Sequence, residues 1–151
     1  MPPLNADDID GRLDHIAATC ERQGVRFTDL RRAVLGLILA SPEPLTAYAL
    51  LDRLKETHRT AAPPTVYRAL DFLLEQRLIH RVERLNAFIG CTDAEAHDHP
   101  AQFLICRLCG AVTELEDPAV LQALAQAAAR TGFRPERMTV EIEGTCARCA
   151  A

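Results

Sequence analysis

Apolar residues recur at spacings of three and four through the first half of the chain. Ile9, Leu13, Ile16, Ala17 and Cys20 define one face of a helix over 7–23, and Gly24 stops it. Thr28 is placed to cap a second helix whose buried stripe is Val34, Leu35, Ile38 and Leu39. Ser41 to Pro44 ends that helix. Thr46 caps a third, with Leu50, Leu51 and Leu54 apolar. Ala61 to Pro64 reads as a loop, and a fourth helix is predicted over 65–77. From residue 78 the pattern changes. Leu78–Val82 and Ala87–Cys91 are short apolar runs around Glu83-Arg84-Leu85-Asn86, which predicts a β-hairpin. Residues 92–100 are polar. Phe103–Cys106 and Ala111–Leu115 predict a second strand pair, Pro118 opens an Ala-rich helix to about Arg130, and Met138–Ile142 predicts a last strand.

This order predicts an α+β chain. Helices followed by a two-stranded hairpin form a winged helix-turn-helix over 1–84, residues 85–93 a hinge, and residues 94–151 a small α/β domain. Each part is small enough to need support from a metal or from dimerisation.

Stepping 100° per residue along the fourth helix puts Val66, Ala69, Leu70 and Leu73 on one face. Tyr67, Arg68, Asp71 and Glu75 fall opposite. Thr65, Tyr67 and Arg68 are therefore the outward residues at its start, as a helix entering the DNA major groove by its N-terminal end requires. Arg68 can bond guanine O6 and N7, Tyr67 can pack on a thymine methyl or reach a phosphate, and Thr65 can hold a phosphate with the helix N-terminus behind it. Asp71 and Glu75 limit deep entry to the first turn. Periodicity alone is equally compatible with an ordinary amphipathic helix.

The net charge of −4 argues against a nucleic-acid binder until it is divided along the chain. Residues 22–68 carry eight basic and four acidic groups, +4, whereas residues 81–151 carry seven basic and ten acidic, −3. A basic face on the first half is thus compatible with an acidic whole. The 151 residues contain no apolar stretch near the roughly 20 residues of a membrane span. Met1 to Asp10 has no apolar segment resembling a signal peptide, so a cytoplasmic location is expected.

Four of the six cysteines form Cys106-Arg107-Leu108-Cys109 and Cys146-Ala147-Arg148-Cys149, separated by 36 residues. Two such knuckles can complete a tetrahedral zinc shell and staple a small domain. Disulfides, or a redox pair in a zinc-stapled thiol enzyme, are the competing readings. His80, Cys91, His97, His99 and Glu114 offer imidazole, thiolate and carboxylate, a second set that suits zinc. Incidental loop histidines and a small buried cysteine are the plainer reading. Cys20, on the apolar side of the first helix, reads as core.

The stretch Pro63-Pro64-Thr65-Val66-Tyr67-Arg68-Ala69-Leu70-Asp71-Phe72-Leu73 resembles the ferric uptake regulator (Fur) family, and in particular its zinc-sensing members. Arg26-Phe27-Thr28 with Arg31 resembles the family's Arg-x-Thr-x-x-Arg opening, and Phe103 to Glu114 its metal-binding strand pair. The resemblance implies a winged-helix domain followed by an α/β dimerisation domain. It implies a homodimeric repressor of zinc-uptake genes that binds double-stranded operator DNA, with zinc as corepressor, no enzymatic activity, no membrane and no small organic substrate. Two zinc ions per chain are implied: structural zinc on Cys106, Cys109, Cys146 and Cys149, and regulatory zinc on His80, Cys91, His99 and Glu114. His97 is an additional or alternative ligand. Tyr67 and Arg68 would read bases, with Thr65, Arg26 and Arg31 also at the DNA. An iron or peroxide sensor on the same scaffold is the nearest alternative.

Overall fold

The computed structural model describes residues 4–91 and 100–151. They fall into two compact units, divided between His97 and Asp98.

The first unit contains α1 (Ala6–Arg22), α2 (Asp29–Ala40), β1 (Leu45–Thr46), α3 (Ala47–Leu54), α4 (Pro63–Glu75), β2 (Ile79–Val82) and β3 (Ala87–Gly90). Local chemistry sets the helix starts. The side chains of Asn5, Thr28 and Thr46 accept from the N–H groups of Asp8, Arg31 and Ala49, satisfying donors that a first turn leaves open. Gly24, at φ +69°, takes the left-handed conformation that stops α1. Leu13, Leu35, Leu50, Leu54, Val66, Leu70 and Leu73 share one core with Ile79 and Phe88 of the strands.

Two boundaries differ from expectation. Helix α4 begins at Pro63, two residues early, because prolines at the first helical positions sacrifice no internal hydrogen bond. The hairpin is the edge of a three-stranded sheet in the order β1-β3-β2, all antiparallel. Strand β1 has only two residues, too few for any alternation to mark it. Four of the nine residues of the expected hinge at 85–93 belong to β3, in which Gly90 pairs with Ile79 and Ile89 with His80. The division between units accordingly comes after the hairpin. Asn86, at φ 46°, turns the chain between β2 and β3.

The second unit contains β4 (Ala101–Cys106), β5 (Val112–Glu114), α5 (Pro118–Ala129), β6 (Thr139–Gly144) and the short α6 (Ala147–Ala150). The sheet order is β5-β4-β6, with β5 antiparallel and β6 parallel to β4. The parallel strand needs a crossover, which α5 supplies. Asp117 caps α5 through the Ala119 N–H at 2.9 Å, and buried Gln102 donates to the Asp117 carbonyl at 3.1 Å. Among the described residues no helix is long and apolar enough to cross a membrane.

Candidate functional site

The register of the second sheet assembles the cysteines. Pairing of β4 with β6 ends at Cys106 opposite Gly144, and Arg107 N–H donates to the Gly144 carbonyl at 2.9 Å. Cys146 therefore emerges beside Cys106. Gly110, at φ +73°, donates to the Cys106 carbonyl at 3.0 Å, and Cys106 N–H donates to Ala111, closing the first knuckle. In the second, Cys149 N–H donates to the Cys146 carbonyl at 3.0 Å.

The four sulfurs lie within 4.8 Å of one another, and those of Cys109 and Cys146 are 3.8 Å apart. Zinc–sulfur bonds of about 2.3 Å in a tetrahedron demand sulfur separations near 3.8 Å. The donor set fits zinc, which would be held by four thiolates with no open position. Such a shell stabilises a fold and leaves no place for a substrate.

The shell is electrostatically prepared. Backbone N–H groups of Cys146, Cys109 and Leu108 point at the Cys106 sulfur and hold its pKa down to about 6. The Cys146 donor is 3.3 Å away. Cys146 is lowered by the Cys149 N–H, while Cys149, crowded by the Cys146 and Cys109 sulfurs, is pushed up to about 12. Neighbouring thiolates cannot all ionise without a cation among them, so all four would act as thiolates only around a bound metal.

The second set divides between the units. His80 lies in β2, and Cys91 follows β3, 1% exposed, with its N–H on the Leu78 carbonyl at 3.1 Å. Because His80 opposes Ile89, and residues two apart share a face, His80 and Cys91 stand on the same side of the hairpin. Glu114, half-buried, opposes Phe103 at the end of β5. His97 and His99 lie outside the described residues. Carbonyl Cys91 accepts from the Arg12 guanidinium. Nothing in the sequence pattern signals that tie, since the two residues are 79 positions apart.

On α4, Val66, Ala69, Leu70 and Leu73 are buried, as periodicity predicts, while Tyr67 is 53% exposed and Arg68 is exposed. The start of the helix requires a correction. Pro63 and Pro64 have no N–H, and those of Thr65 and Val66 both donate to the Ala62 carbonyl, at 2.9 and 3.2 Å. Those donors are absent or spent, so Thr65 has only its hydroxyl to offer a phosphate. Arg26 is exposed. Arg31 is turned inward: its guanidinium carbon lies 3.8 Å from the centre of the Phe72 ring, and it donates to the Arg26 carbonyl. Phe72, absent from the expected site, thus links α4 to α2.

The ferric uptake regulator family model matches residues 22–143. The chain belongs to this family. Its α+β architecture, winged helix first, is the family's. The chain is 41% identical to the zinc uptake regulation protein of Escherichia coli (strain K12) over 130 residues, covering 86% of this chain and 76% of that protein. A solved zinc uptake regulator complexed with zinc and DNA is 38% identical and superposes with a TM-score of 0.88, covering 94% of this chain and 95% of that one. Holo XcZur is 40% identical, with a TM-score of 0.83 over 93% of this chain and 98% of that one.

Proposed function

We propose that this chain is a zinc-responsive, DNA-binding repressor of zinc-uptake genes, with zinc as corepressor. The observation that carries the reading is its similarity, over 94% of its length, to a zinc uptake regulator whose structure contains both zinc and DNA. The protein acts in the cytoplasm as a homodimer on double-stranded operator DNA, and no residue is assigned a catalytic role.

Each chain takes two zinc ions. Cys106, Cys109, Cys146 and Cys149 hold the structural ion. His80, Cys91, His99 and Glu114 hold the regulatory one, with His97 as an additional or alternative ligand. Tyr67 and Arg68 read bases, while the Thr65 hydroxyl and Arg26 contact the phosphate backbone. Dimerisation uses the second unit: Leu104 and Ile142, paired in register, are 40% and 48% exposed, an apolar pair well suited to a partner. Regulatory zinc favours the DNA-competent population, and by linkage DNA raises zinc affinity by the same factor.

The test is operator binding against buffered free zinc, iron and manganese, with metal content measured per chain. Zinc is expected to tighten binding at the lowest free concentration. Tight binding driven by iron or manganese instead, or affinity indifferent to all three, overturns the reading.

A further inference from the structure

Cys91 leaves the hairpin with both backbone polar groups engaged. Its N–H extends the ladder to Leu78, and its carbonyl accepts from Nη2 of Arg12, on α1. The residue before it is Gly90, where an added Cβ would sit 2.6 Å from Leu39 Cδ2, so the strand lies close against α2 at this point. Arg12 is half-buried and sits between Ile9, Leu13 and Ile16 in sequence, all buried in the core that also carries α4.

We propose that Arg12 is a positioning residue for the regulatory metal: by holding the Cys91 carbonyl, it fixes the backbone from which the thiolate is presented on the face shared with His80. The proposal rests on the reading of Cys91 as a regulatory ligand. A charged donor on a carbonyl makes one of the stronger hydrogen bonds. With its N–H and carbonyl both restrained, Cys91 has little backbone freedom left to lose when a metal binds, and pre-organisation of this kind raises affinity without adding a ligand. The planar guanidinium suits the task better than an ammonium, because its donors are held in a fixed fork. The tie also runs from the ligand to α1, whose Ile9, Leu13 and Ile16 are buried in the core of the first unit, and not to a surface loop.

The experiment uses the full chain with its four-cysteine zinc retained. The second site is titrated with Co(II), whose thiolate charge-transfer band reports Cys91 ligation, and with Zn(II) against a chromophoric chelator. Arg12→Gln is expected to weaken the second site about 10- to 100-fold, as loss of an outer-shell partner does. It should also alter the cobalt band while the four-cysteine zinc stays bound. Arg12→Lys, which keeps the charge and stem, should recover part of the loss, and it is the variant to read if Arg12→Gln does not fold. Unchanged affinity and an unchanged band in a folded variant overturn the proposal. Cys91→Ser separates the two layers. If it abolishes the band and Arg12→Gln leaves everything untouched, only the positioning role fails. If Cys91→Ser itself changes nothing, the assignment of the ligand fails first.

Discussion

In the first unit, Val34, Leu35, Leu50, Leu54, Val66, Leu70 and Leu73 are each no more than 1% exposed and pack into one core. In the second, the only buried apolar side chains among the described residues are Phe103, Ile105 and Cys106, and α5 buries none of its twelve residues. Burying a large apolar side chain contributes roughly 1.5–3 kcal/mol. Ordering a residue's backbone costs about 1–2 kcal/mol. Burial therefore contributes far more to the first unit than to the second, where only three described apolar side chains offset the ordering cost. The four sulfurs stand where the missing stability has to come from, since structural zinc sites bind with about 10–16 kcal/mol in small peptides. On the proposed reading the two units keep their folds by different means, one through packing and one through the zinc and the partner chain proposed for it.

The contrast breaks most readily at the cysteines. Cys106→Ser removes the thiolate that the knuckle prepares best, and it should abolish zinc retention and cooperative melting of the second unit. Metal content per chain and thermal melting by circular dichroism report both. A stable, zinc-replete variant refutes the metal's structural role. In the zinc-loaded parent the four thiols should resist a thiol titrant; rapid reaction of Cys106 and Cys109 would favour a redox pair instead. The matched perturbation of the other unit is Leu35→Ala, expected to cost about 2–5 kcal/mol in denaturant unfolding while zinc content stays at the parent value. Loss of zinc from that variant would show that the two units are not stabilised separately.

The same contrast explains what the sequence made legible. Helices with a continuous apolar stripe, such as α2 and α4, can be read from periodicity because burial selects their spacing. The gathering of Cys106, Cys109, Cys146 and Cys149 is readable because they come in pairs within single turns. Strand β1 escaped because two residues carry no period, and the parallel pairing of β6 escaped because register is a relation between distant segments. The proline start of α4 was misplaced for a local reason: proline before a helix and proline inside its first turn look alike in sequence. The Arg12–Cys91 and Arg31–Phe72 contacts had no signal at all. Each joins residues dozens of positions apart, and an arginine on a helix reads as solvated until its partner is known.

Within the first unit the distinction between outward and inward arginines can be sharpened. Arg68 is exposed on α4 and is expected to read a base, so Arg68→Ala should weaken operator binding by about 1–3 kcal/mol and relax sequence preference at one position. Competition assays with operator variants measure both effects. Equal loss on every sequence would make it a phosphate contact.

Arg31 should behave differently and more weakly. Stacked on Phe72 and bonded to the Arg26 carbonyl, it braces α4 against α2. Arg31→Met keeps an aliphatic stem on the ring but loses the cation, at a cost of about 0.5–2 kcal/mol in stability. Because its charge is turned towards an aromatic face, the salt dependence of operator binding should keep the parent slope. A phosphate contact would instead lower that slope by about one. A reduced slope with unchanged stability would move Arg31 from the brace to the DNA surface, and the Phe72 contact would then be incidental. A parent slope with reduced stability assigns Arg31 to holding α4 against α2, and the reading of DNA then stands or falls with Arg68→Ala.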